Sequence, residues 1–124
     1  MNKKRPVNLD LGTLKFPAMA IASILHRISG LVLFLLLPLM LYFLKLSLDG
    51  AASYADLQGT LSNPFIKIVL WAFSAALIYH VLAGIRHLLM DCGVGEHLGE
   101  SRKSAIFVIG CSVILTIFLG IWIW

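Results

Sequence analysis

Three stretches of the chain carry no Asp, Glu, Lys or Arg, and they leave few folds open. They run from Ile28 to Leu44, from Ile68 to Ile85 and from Ser104 to Trp124, which is 17, 18 and 21 residues. A hydrocarbon core about 30 Å thick takes roughly 20 helical residues at 1.5 Å each. The first two stretches run slightly short, but flanking Lys and Arg side chains can reach the headgroup layer while their stems stay in apolar surroundings. The expectation is an all-α integral membrane protein with three up-and-down transmembrane helices, over approximately 17–48, 64–91 and 101–124. Residues 1–124 then form a single membrane domain. Composition agrees, since 60% of the 124 residues are hydrophobic and 13% are charged, about half the charge of a soluble domain. Too few polar side chains remain to coat so small a body in water. Neither a disordered chain nor a soluble globule suits this sequence.

The helix ends carry their own signals. Pro17 suits the first turn of helix one, and Asn63-Pro64 reads as N-cap and first residue of helix two. That helix continues through Met90 and Asp91 until Gly93 and Gly95 release it, and Glu100-Ser101 precedes helix three. Pro38 lies inside helix one, where a membrane tolerates it. Trp122 and Trp124 put aromatic rings at the far interface.

Lys and Arg set the orientation. Lys3, Lys4, Arg5, Lys15 and Arg27 precede or open the first span, and Arg86, Arg102 and Lys103 lie between the second and third. Only Lys45 and Lys67 lie on the other side. Eight against two puts the N-terminus in the cytoplasm and the C-terminus in the periplasm. The net charge of +4 is then a topology signal and calls for no nucleic-acid partner. No signal-peptide pattern or Arg- and Ser-rich transit segment opens the chain, so a bacterial inner membrane is the expected location. Cys92 and Cys111 lack metal-type spacing and read as structural thiols.

Two clusters interrupt the apolar spans. In Ser23-Ile24-Leu25-His26-Arg27-Ile28-Ser29-Gly30, the residues Ser23, His26, Arg27 and Gly30 share one helical face. A hydroxyl, an imidazole and a guanidinium there suit a neutral molecule with carbonyl oxygens, or an anionic group, at the membrane boundary. The plainer reading is that Arg27 only snorkels and fixes topology.

The second cluster runs from Tyr79 to Asp91, with His80, Gly84, His87 and Asp91 on one face. His80 lies six residues inside Arg86, a depth of about 9 Å. An imidazole that deep can hydrogen-bond between helices, relay protons or ligate a metal. Gly84 would let a flat ring system approach the backbone, with Arg86 and His87 near the boundary to meet anionic groups such as haem propionates. His80 and His87 project from the same helix, so they cannot clamp one iron from opposite sides. Within the chain the other candidate is His26, at the boundary and at a different depth, which makes a partner subunit the simpler source of a second ligand. His97, beside Glu96 and Glu100, reads as solvated.

At these residues the chain resembles the cytochrome b subunit family of bacterial succinate dehydrogenase, the larger membrane anchor of respiratory complex II. The likeness covers nearly the whole chain. It rests on Arg5-Pro6-Val7-Asn8-Leu9-Asp10-Leu11, on Ser23 through Gly30, and on His80 through Asp91, the most specific of the three. The first motif departs from the Arg-Pro-Leu-Ser-Pro-His-Leu of many members, so contacts with the soluble subunits are expected to differ there.

The resemblance implies a helical bundle shared with a second, smaller membrane-anchor subunit, and haem b held between the two. His80 would be one axial ligand of the iron, and the partner anchor would supply the other. His26, Arg27 and His87 would lie near the haem propionates. Ser23 and Arg27 match ubiquinone-site positions, where Ser23 can donate to a quinone carbonyl and Arg27 can stabilise developing negative charge. Succinate oxidation at FAD, and transfer through iron–sulfur clusters, would belong to a flavoprotein and an iron–sulfur subunit. This chain would then be a non-autonomous subunit without its own FAD or succinate site. A membrane subunit of quinol:fumarate reductase and a cofactor-free anchor or assembly protein are the alternatives.

Overall fold

The computed structural model describes residues 18–95 and 97–124. The Arg5–Leu11 motif, Pro17, the cations Lys3, Lys4, Arg5 and Lys15, and Glu96 lie outside them. Four helices follow one another: α1 over Ala18–Leu48, α2 over Ala51–Leu61, α3 over Pro64–Asp91 and α4 over Leu98–Ile123. Three of them, all but α2, are long and apolar enough to cross a membrane. No strand occurs among the described residues.

The segment between the first two spans is more than a loop. It turns at Gly50, whose φ of 146° suits a residue without Cβ, and then forms α2. Leu57 of α2 is buried, and the Ser53 hydroxyl donates to the Leu46 carbonyl at 2.7 Å, tying the short helix to the end of α1. At the start of α3 the Asn63 side chain accepts from the Phe65 N–H at 2.9 Å, with Pro64 filling a position whose N–H would have no helical partner. At its end Val94 N–H reaches the Leu89 carbonyl at 2.9 Å and Gly93 N–H reaches Met90 at 3.0 Å. With Gly93 at φ 87°, this is a Schellman motif. Helix α4 begins at Leu98, one turn before the 101 read from sequence, with His97 at its N-cap. Ser101 therefore belongs to the helix proper, and it is almost fully buried.

Helix α3 packs antiparallel against both α1 and α4, which also touch each other. As the α3 position rises from Trp71 to Arg86, its bonded partner on α4 falls from Thr116 to Ser101. Close approach is possible because the contact faces use small residues: Ala22 on α1, Ala83 on α3, and Ser101, Ala105 and Ser112 on α4 are all buried. Around this narrow seam the outer faces are apolar and open, with Phe34, Phe107 and Trp122 each at least 70% exposed. At the α4 C-terminus Trp71 and Trp124 meet edge to face at 6.2 Å, and the Lys67 ammonium lies 5.8 Å from the Trp124 ring centroid.

Candidate functional site

The three histidines inside the spans, His26, His80 and His87, gather where α1 meets α3. Just beside the crossing, the Tyr79 hydroxyl donates to the Ala22 carbonyl at 2.6 Å, a buried bond that sets the register of the two helices. One residue on, His80 turns its ring onto α1. Its Nδ1 is 3.0 Å from the Ser29 hydroxyl and 3.2 Å from the His26 carbonyl oxygen. The ring fits because Gly30 has no side chain: a Cβ there would stand 3.1 Å from His80 Cε1.

These contacts assign the His80 tautomer. A carbonyl oxygen only accepts, so Nδ1 facing the His26 oxygen carries the hydrogen. The Ser29 hydroxyl spends its own proton on the same carbonyl, at 2.8 Å, which leaves its oxygen free to accept from Nδ1. Nε2 of His80 then keeps its lone pair. An imidazole anchored through Nδ1–H, with Nε2 unprotonated, is the usual state of a metal-ligating histidine.

Two further imidazoles adjoin it. The His26 ring stacks on His80 with centroids 4.2 Å apart and planes within 5°, and His87 approaches His26 at 5.1 Å with a 54° tilt. Sequence spacing put His26 and His80 at different depths; the structure brings them side by side. Depth counted from the nearest Arg misleads here, because α1 begins at Ala18 and His26 is already two turns inside it. Stacked face to face, the two rings leave no room between them for a metal that both would ligate. No group of three or more His, Cys, Asp or Glu among the described residues converges as a metal cage. Among the described residues the donor set would suit a group that takes one imidazole nitrogen from this chain.

Ser23 and Arg27 lie on α1 one helical turn apart, Ser23 half-buried and Arg27 exposed. No hydrogen bond among the described residues ties either of them to the imidazoles. Arg86, in contrast, is not available at the boundary as the spacing suggested. It is 6% exposed, donates from Nε to the Ser104 hydroxyl at 3.0 Å, and from Nη2 to the Ser101 hydroxyl and carbonyl at 3.0 and 3.2 Å. Its position on α3 points it at α4, so it fastens those helices together. The apolar groove alongside, about 260 Å³ between Leu82, Leu89 and Phe107, presents almost no polar surface of that guanidinium. Cys92 and Cys111 are both free thiols.

Sequence reasoning did not single out Ser29, Tyr79, Ser101 or Ser104. Ser29 had a usable signal: it follows His26 by three residues, the spacing at which a helical hydroxyl reaches back to a carbonyl. The two α4 serines had none, since their importance comes only from Arg86 arriving across the bundle.

A family model described as succinate dehydrogenase/fumarate reductase transmembrane subunit matches residues 1–119. The chain is 50% identical to the succinate dehydrogenase cytochrome b556 subunit of Coxiella burnetii, over 100% of both chains. It is 36% identical to the protein of that name in Rickettsia prowazekii, over 95% of this chain and 92% of the relative. To that of Paracoccus denitrificans it is 32% identical, over 91% and 87%.

Proposed function

The chain belongs to the succinate dehydrogenase/fumarate reductase transmembrane subunit family, and from that premise we propose that it holds haem b through His80 and forms part of a ubiquinone-reducing site. It is a multi-pass membrane protein and a membrane subunit of the succinate dehydrogenase complex. The names of its relatives do not favour the fumarate reductase or cofactor-free alternatives.

One observation carries the haem reading: His80 Nδ1 is engaged by Ser29 and the His26 carbonyl, which leaves Nε2 as a free donor inside a span. When bound, the haem would supply a one-electron carrier. His80 would hold it from this chain, and a second membrane-anchor subunit would supply a further histidine. His26, stacked on His80, and His87 beside it offer N–H groups to the propionates, with Arg27 on the same stretch of α1.

The quinone reading rests on Ser23 and Arg27. A neutral quinone takes up two electrons and two protons, so its site needs donors and access to water. Ser23 donates to a carbonyl oxygen, and the exposed Arg27 guanidinium stabilises negative charge as it develops there. Boundary depth lets the isoprenoid tail remain in lipid. The site then faces the cytoplasmic side of a bacterial inner membrane, next to an iron–sulfur subunit that delivers electrons from a flavoprotein carrying FAD and the succinate site.

The test is to purify the complex with its second membrane subunit and record reduced-minus-oxidised spectra during a quinone titration. The wild type should show a low-spin b-type haem, and His80→Ala should lose it while the subunits still assemble. A colourless wild-type complex, or full haem content in His80→Ala, overturns the haem reading. In the same preparation Arg27→Ala should keep succinate oxidation by a soluble dye and lose quinone reduction at least tenfold. Equal loss of both activities would assign Arg27 to assembly instead.

A further inference from the structure

We propose that Ser29 is a positioning residue for His80, setting the orientation and electron-donating strength of the imidazole and thereby the reduction potential of the haem it ligates. The inference rests on the assignment of His80 as an axial ligand and goes beyond it. Ser29 is 6% exposed, so its hydroxyl is buried at the helix contact and must find its partners there. Its oxygen stands between two groups of the site, donating to the His26 carbonyl at 2.8 Å and accepting from His80 Nδ1 at 3.0 Å.

The His26 carbonyl could hold Nδ1–H alone, but it is a poor sole acceptor. It lies farther away, at 3.2 Å, and takes the Ser29 proton as well. As a helix-interior carbonyl it also belongs to the α1 ladder, where the N–H of the fourth residue on reaches it. A carbonyl oxygen has two lone pairs, and three donors oversubscribe it. The Ser29 oxygen is therefore the principal acceptor. Its own donation to the carbonyl polarises it and makes it a better one.

A stronger acceptor on Nδ1–H moves electron density toward Nε2 and makes the imidazole a stronger donor to iron. Stronger donation favours the oxidised metal, so Ser29 lowers the haem potential. The two acceptors also fix the rotation of the ring about its Cβ–Cγ bond. Gly30 supplies the space on the next residue, since any side chain there would press on His80 Cε1.

The test uses the complete complex in its membrane, comparing wild type with Ser29→Ala, Ser29→Cys and Ser29→Thr. Haem content comes from reduced-minus-oxidised spectra, the potential from a redox titration, and ring orientation from the low-spin electron paramagnetic resonance signal. Ser29→Ala should keep the haem, raise its potential and broaden or shift the resonance. Ser29→Cys, close in volume but a weak acceptor, should do the same, and Ser29→Thr should restore both readouts. If Ser29→Ala fails to assemble, the Cys and Thr variants carry the comparison. A haem-replete Ala or Cys variant with unchanged potential and resonance overturns the proposal, as does a Thr variant that restores neither. Those outcomes leave the axial assignment intact. Full haem content in His80→Ala would instead sink the assignment itself.

Discussion

The two glycines at the imidazole cluster do different work. A Cβ on Gly30 would lie 3.1 Å from His80 Cε1, a ring atom that cannot swing away without breaking the bonds at Nδ1. A Cβ on Gly84 would lie 3.7 Å from His26 Nε2, an ordinary contact. Gly30→Ala should therefore cost about 1–3 kcal/mol through displaced packing and lower haem occupancy, while Gly84→Ala keeps occupancy near wild type. Haem-to-protein ratio in the purified complexes checks the contrast; equal loss in both would show that the cofactor approaches the Gly84 side closely enough to need its space. At this scale the sequence was informative about which residues matter, because an imidazole inside a span is costly enough to need a reason. It was silent on which atom of each ring is committed. That depends on Ser29, a residue on another helix, 51 positions away from His80.

Between elements, one buried cation joins α3 to α4. Arg86 has no carboxylate partner among the described residues; its charge is met by two serine hydroxyls and a carbonyl. Hydrogen bonds to a charged group are worth about 1.5–3 kcal/mol each. Ser101→Ala removes the hydroxyl bond and leaves Nη2 with the carbonyl alone, so the complex should lose about that much stability while the haem spectrum stays unchanged. Thermal melts followed by both the haem and the tryptophan signals check it. The start of α4 shows why the sequence did not disclose this latch. Glu100-Ser101 looks like a helix opening, yet the helix begins a turn earlier, and Ser101 is carried inward to face Arg86. Helix α2 was hidden for a related reason: eleven residues, Gly59 and Thr60 among them, are too few to hold a helix on their own, and Leu57 docking against the spans sustains them.

For the molecule as a whole, the three long helices share a thin core of small side chains and leave large ones facing outward on every span. A soluble protein of this size could not carry such a surface. Lipid covers it, together with the neighbouring subunits of the complex to which this family belongs. The bundle places the imidazole cluster and the Trp71–Trp124 cluster at opposite ends. With Lys and Arg weighted toward the imidazole end, reporter fusions after Trp124 should be active only in a periplasmic format, and fusions between α3 and α4 only in a cytoplasmic one. The reverse pattern would move the proposed quinone site to the other side of the membrane.

What the sequence determined alone was the solvent and the number of spans, because transfer into lipid depends on composition over about 20 residues and on little else. It also marked His26, His80 and His87, since ionisable side chains in apolar spans stand out one by one. The tertiary structure decided how those residues meet. It stacked His26 on His80 where residue counting had separated them, turned Arg86 away from the site and into α4, and brought Ser29 to the nitrogen that sets the His80 tautomer. Each of these depends on the rotation and stagger of one helix against another. Packing of Ala22, Ala83 and the glycines sets that relation, and no periodicity within a single helix contains it.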